Sequence, residues 1–214
     1  MQEGEFLMYN SYYAVIFAGI STNRGSFEHI GREIKKQLKL SKPGCRVKVL
    51  TIYPYDDSIS GDPIADSLQV MKNAYALCGN TAKDMAYEIM KKYSGEECVF
   101  FVGYSGGGIA ATVVAERLKK QLSVSKILRV GSPVLTVGKP LYPKTADLSL
   151  PGDPVCQVEI PRFFKNFRPY QCFVKDLVVN RHVHSCYFKE DLKDENGVSN
   201  LTKTIGQILR FVKN

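Results

Sequence analysis

CVFFVGYSGGGIAATVVAERLKK, residues 98–120, is the stretch on which the fold turns. Its first seven residues form a continuous apolar run of the kind buried on both faces of a parallel sheet, and its last twelve mix apolar and charged positions at helical spacing. Between them stands Gly103-x-Ser105-x-Gly107, at a strand-to-helix turn. A serine exposed on so sharp a turn needs a strained backbone, and side chains at the flanking positions would collide with strand or helix. The following helix turns its amino terminus toward the serine, where free N–H groups and the dipole favour a developing oxyanion. Average Gly and Ser usage, roughly 7% each, would give the bare pattern in about one chain in fifteen of this length, so the strand before and the helix after carry the inference. The main rival is a phosphate cradle, but the spacing fits neither GxGxxG nor GxxxxGK(S/T), and no lysine follows the glycines. Ser105 is therefore read as a nucleophile, with a plain tight turn as the bland alternative.

Outward from this stretch, short apolar runs alternate with amphipathic segments. Strands are predicted over 13–19, 47–53, 98–104, 127–131, 146–150 and 173–179, and helices over 27–40, 66–77, 82–93, 107–122 and 201–212. Ile30, Ile34 and Leu38 share one helix face, Asn80 or Thr81 caps the third helix, and Ser199 or Asn200 caps the last. The predicted class is α/β: one domain over 1–214, a minimal and mostly parallel sheet of about six strands, helices on both faces and no separate lid domain. The least regular stretches are 53–66, 131–144 and 155–171. The last holds Phe163, Phe164, Phe167 and Tyr170 among Arg162, Lys165 and Arg168. Ligands of parallel sheets bind at the carboxyl ends of strands, so these stretches are candidates for a substrate wall or lid.

Composition excludes several other classes. With 214 residues, 44% hydrophobic and 23% charged, the chain is neither disordered, collagen-like nor a highly charged coiled coil. The apolar run over 12–20 is about half of the ~20 residues a membrane span needs, and acidic Glu3 and Glu5 precede it. The expectation is a cytoplasmic protein with no signal peptide and no membrane helix, peripheral membrane contact being left open. Six cysteines lie scattered without metal-type spacing and are read as reduced thiols. The net charge of +8 is unevenly spread: residues 1–107 carry 12 Lys+Arg against 12 Asp+Glu, residues 108–214 carry 17 against 9. The surplus, 17 − 9 = 8, thus lies wholly in the second half. It makes no dense run, and no nucleic-acid motif accompanies it, so nucleic acid is not an expected partner.

A serine hydroxyl needs a general base oriented by a carboxylate. His29 precedes the nucleophile on a predicted helix and is read as a surface residue. His182 and His184 follow a late strand, where the order Ser, acid, His puts the base. On an extended chain at most one of the two is expected to serve as base, and His184 is preferred. The acids between are Glu116, Asp147, Asp153, Glu159 and Asp176. Glu116 is on the helix after the turn, and Asp147 and Asp176 fall inside predicted strands. Asp153, in Leu150-Pro151-Gly152-Asp153-Pro154-Val155, ends a strand in a turn and is preferred, its bland role being to initiate that turn.

At this point the sequence resembles the α/β-hydrolase superfamily, and within it the lipases and esterases typified by class 3 (fungal-type) lipases. The landmarks run in order: Val15-Ile16-Phe17-Ala18-Gly19-Ile20, Gly103-Tyr104-Ser105-Gly106-Gly107, Val130-Gly131-Ser132-Pro133, Gly152-Asp153-Pro154-Val155 and His184-Ser185-Cys186-Tyr187. The resemblance implies a Ser105, Asp153, His184 triad, with the backbone N–H groups of Gly106 and Ile20 as the oxyanion hole. It implies a serine ester hydrolase acting on a small-molecule ester and needing no metal or organic cofactor. Thioesterase or acyltransferase action on an anionic acyl carrier would suit the basic second half, and a non-catalytic binding protein on the same fold is the alternative from another class. Oligomeric state is not legible.

Overall fold

A computed structural model describes residues 9–20, 25, 27–55, 80–159 and 167–213. Among the described residues six strands, β1 (Ser11–Phe17), β2 (Arg46–Ile52), β3 (Cys98–Tyr104), β4 (Val124–Val130), β5 (Thr145–Ser149) and β6 (Tyr170–Phe173), form one sheet in the order β2-β1-β3-β4-β5-β6. Every pairing is parallel. The helices are α1 (Glu28–Ser41), α2 (Asn80–Lys92), α3 (Gly107–Leu118) and α4 (Asn200–Lys213). The helix predicted over 66–77 lies outside the described residues.

Burial on both faces explains why the central strands read as unbroken apolar runs. On β1, Tyr12, Ala14 and Ile16 pack with Ile30, Ile34 and Leu38 of α1 and with Leu201, Ile205 and Ile208 of α4. Their neighbours Tyr13, Val15 and Phe17 point the other way, into the layer made by α2 and α3. The period of two along the strand thus feeds two cores, one on each side. Helix α3, running straight out of β3, is buried along most of its length, as befits a segment with few charges before Glu116. The outer strand β2 is only half-buried.

The last strand departs from expectation. It occupies Tyr170–Phe173, not 173–179. Pairing, not hydrophobicity, fixes it: Gln171 lies opposite Asp147 and its amide donates to Asp147 Oδ2 at 2.6 Å. After Val174 N–H bonds Ser149 O at 2.8 Å the chain leaves the sheet, and Asp176 takes a left-handed φ of 61°. The apolar residues that suggested a strand are used in the core as loop: Val174 is buried and Leu177 packs against it.

Two of the irregular stretches flank the carboxyl end of the sheet and pair with each other. Val134 N–H bonds Val158 O at 2.8 Å, and Val137 N–H bonds Phe167 O at 3.0 Å. The aromatic residues Phe163 and Phe164, with Arg162 and Lys165, fall outside the described residues. The five described cysteines are free thiols. Among the described residues no helix is long and apolar enough to cross a membrane.

Candidate active site

The turn between β3 and α3 has the form the sequence suggested. Ser105 stands at φ 52°, a left-handed conformation that costs a non-glycine residue about 1–3 kcal/mol, and its N–H is held by Val130 O at 2.9 Å. The glycines answer a steric demand. A Cβ on Gly103 would lie 2.5 Å from the Gly107 carbonyl oxygen, and one on Gly107 would lie 2.2 Å from Phe17 O. Gly107 is what lets α3 begin directly against the end of β1. The first bonds of the helix run from Gly108 N–H to Ser105 O and from Ile109 N–H to Gly106 O, both at 3.0 Å. The amides of Gly106 and Gly107, ahead of them, have no acceptor within the helix.

Gly19 brings the loop after β1 to the same place. A Cβ there would approach Ser105 Cβ to 3.0 Å and Tyr104 O to 3.1 Å. Ile20, the next residue, is half-buried beside the core under α2 and α3. Ser105, Gly106 and the Gly19–Ile20 segment thus share one corner at the carboxyl end of the sheet.

Asp153 and His184 meet although 31 positions apart: His184 Nδ1 lies 3.0 Å from Asp153 Oδ2 and 3.1 Å from Oδ1. A carboxylate only accepts, so the hydrogen of this bond is on Nδ1. The carboxylate is fully buried. Burial alone would raise its pKa, yet the bonds from His184, from Tyr187 and from Val155 N–H outweigh that and hold it below the usual carboxylate value. Tyr187 donates to Oδ2 at 2.7 Å and accepts Leu150 N–H at 2.7 Å. Burial, then the nearby Cys156 and Asp153, push the Tyr187 hydroxyl well above its ordinary value, so it remains a donor. Cys156 adds a thiol 3.5 Å from Oδ2; burial and then Asp153 push this thiol up to about 12.

Tyr104 links this pair to the turn. Its ring stacks on the His184 imidazole, centroids 5.1 Å apart and planes 14° apart, and its hydroxyl donates to His184 O at 2.7 Å. Because Tyr104 immediately precedes Ser105, the imidazole is tied to the residue next to the serine.

The other titratable residues go elsewhere. His182 is exposed and its Nε2 takes the Arg181 Nε–H at 3.1 Å. His29 Nε2 lies 3.3 Å from Phe188 O. Asp147 makes two bonds to buried Arg129, at 2.5 and 2.7 Å. Glu116 pairs with Lys119 at 2.9 Å and Glu159 with Arg168. The extended backbone assumed for 182–184 is in fact a short 3-10 turn, Val183–Ser185. Tyr55, Tyr104 and Tyr187, which touch or support these groups, had no assigned role in the sequence. A tyrosine's value here lies in where its hydroxyl ends, and no local spacing encodes that.

No protein-family profile matches the sequence, and no curated protein does. Among solved structures the chain is similar to a cutinase-like protein from Cryptococcus sp., at 14% identity and TM-score 0.50, covering 95% of this chain and 96% of that one. It is also similar to Trichoderma reesei cutinase in complex with a C11Y4 phosphonate inhibitor, at 15% identity and TM-score 0.49, covering 97% of this chain and 82% of that one. The first likeness, with the parallel sheet and the strand-turn-helix at Ser105, establishes the α/β-hydrolase fold.

Proposed function

We propose that the chain is a single-domain serine hydrolase of carboxylic esters, with Ser105, Asp153 and His184 as its triad. The observation that carries this is the hydrogen bond of His184 to the buried Asp153 carboxylate, with the imidazole stacked on Tyr104, next to a serine in a strained turn. Ser105 Oγ attacks the acyl carbon while His184 Nε2 takes its proton, forming the new C–O bond and a tetrahedral oxyanion. Gly106 and Ile20 N–H groups donate to that oxyanion. Collapse breaks the bond to the leaving alkoxide, which takes the proton from His184, and an acyl-enzyme remains. Water then repeats the sequence, releasing the acid and restoring Ser105. Asp153 keeps the hydrogen on Nδ1 throughout and stabilises the imidazolium.

A second reading, thioester hydrolysis or acyl transfer on an anionic carrier, is favoured by the charge of residues 108–214. A cytoplasmic setting and an anionic substrate belong to that reading as much as to the first. A non-catalytic binding role is disfavoured, because nothing in binding calls for a buried carboxylate held to a partly exposed imidazole in one hydrogen-bonded pair. A panel of p-nitrophenyl esters and acyl-CoA thioesters of graded chain length, run on wild type and Ser105→Ala, separates these. Ester turnover lost in the variant supports the first reading, and thioester turnover that falls steeply with salt supports the second. Turnover equal in wild type and variant, or none in the folded protein, contradicts both.

A further inference from the structure

The pattern Gly-x-Ser-x-Gly leaves position 106 free, yet the residue there is glycine, and the reason lies in another part of the chain. Tyr55, three residues beyond β2, fills the space a side chain would need: a Cβ on Gly106 would stand 3.1 Å from Tyr55 Oη and 3.2 Å from Cζ and Cε2. The ring therefore rests on the Gly106 Cα. Its hydroxyl, itself buried, donates to Gly106 O at 2.6 Å. That carbonyl also accepts Ile109 N–H at 3.0 Å and Ala110 N–H at 3.3 Å, so three donors converge on it. Burial pushes the Tyr55 hydroxyl above its ordinary value, which keeps it a donor at any working pH.

Gly106 is held at its carbonyl and at its α-carbon, while its N–H is the only polar atom of the residue left free of the helix. Glycine is the residue least able to hold its own peptide planes, because both its dihedrals are soft. An oxyanion donor is useful only if it already points where charge will develop. Tyr55 also shares a core with Ile20, and Ile52 O at the end of β2 takes Ala18 N–H at 2.9 Å, so the segment bearing Tyr55 is tied to the loop that supplies the other amide.

We infer that Tyr55 is a positioning residue for the oxyanion hole: its hydroxyl and ring fix Gly106 so that the Gly106 N–H is aimed before substrate arrives. The inference rests on the serine-hydrolase reading and deepens it. Loss of a whole oxyanion donor costs about 10²–10³ in kcat, and misaiming one costs less. Tyr55→Phe, which keeps the ring and loses the bond, is expected to lower kcat on p-nitrophenyl butyrate about tenfold with KM within about twofold. Affinity for octyl trifluoromethyl ketone, which presents a tetrahedral oxyanion, should weaken by about the same factor, and Tyr55→Leu should extend both losses. A hydroxyl that only stabilised the fold would lower the melting temperature and leave kcat and ketone affinity where they were, and that result overturns the inference. Should Tyr55→Leu fail to fold, Tyr55→Phe still decides. Ser105→Ala in the same series keeps the two claims apart. If Ser105→Ala is inactive while Tyr55→Phe matches wild type, the Tyr55 inference alone falls; if Ser105→Ala retains wild-type turnover, the serine-hydrolase reading falls and the inference with it.

Discussion

Replacing Tyr187 by Phe removes one oxygen that serves two partners. The hydroxyl donates to Asp153 Oδ2 and accepts Leu150 N–H, each at 2.7 Å, in a fully buried position. The variant orphans the Leu150 N–H, a loss of about 1–3 kcal/mol, and strips a charge-assisted bond from Asp153 worth about as much. A net destabilisation of about 3 kcal/mol follows, or about 6–12 °C in melting temperature for a chain of this size. The two parts differ in pH dependence. The folded pKa of Asp153 is depressed, so its contribution is fully present above the unfolded value of about 3.9 and is lost as pH falls through the lower folded value. Tyr187 helps to depress that pKa, so the gap between wild type and variant should be widest near neutrality and shrink below about pH 4, leaving the Leu150 share. Thermal unfolding followed by circular dichroism from pH 7 downward measures both. A variant within about 0.5 kcal/mol of wild type at pH 7, or a gap that does not change with pH, refutes the reasoning.

Glu97, buried at the foot of β3, accepts Lys48 Nζ at 2.5 Å and Ser94 N–H at 3.0 Å. Burial raises its pKa, but these bonds outweigh it and leave the carboxyl at about 2. Its stabilisation is fully present above about pH 4.3 and is lost as pH falls from there through the folded value of about 2; since Lys48 is half-exposed, Glu97→Gln should cost about 2 kcal/mol at pH 7 and flatten the acid limb of a urea-denaturation series. Asp147→Asn should cost about 3–5 kcal/mol by leaving the Arg129 guanidinium buried without its anion. Because Gln171 reaches the same carboxylate, hydrogen exchange should quicken first in β6.

The central strands were legible because burial on both faces forces their composition. β1 and β3 could hardly be anything else: seven residues each, nearly all apolar. Glycine at 103 and 107 was legible for a similar reason, since backbone contact leaves no other choice. β6 was misplaced because its stability comes from the Gln171–Asp147 bond and from its place beside β5, neither of which leaves an apolar signature. Choosing Asp153 over Asp147 depended on reading a turn. In the structure Asp147 is bonded to Arg129. Tyr55 and Tyr187 were out of reach altogether, for their hydroxyl partners lie 51 and 34 positions away.

The nucleophile is the claim on which the rest depends, and a fluorophosphonate tests it without any guess at the substrate. The probe forms a covalent bond only to a serine activated by a base, with fluoride leaving, and peptide mass spectrometry then locates the adduct. The folded protein should carry a single adduct on the peptide containing Ser105, with labelling lost in Ser105→Ala and slowed about 10³-fold or more in His184→Ala. An adduct on another serine, or no adduct on a protein that melts cooperatively, would contradict the account.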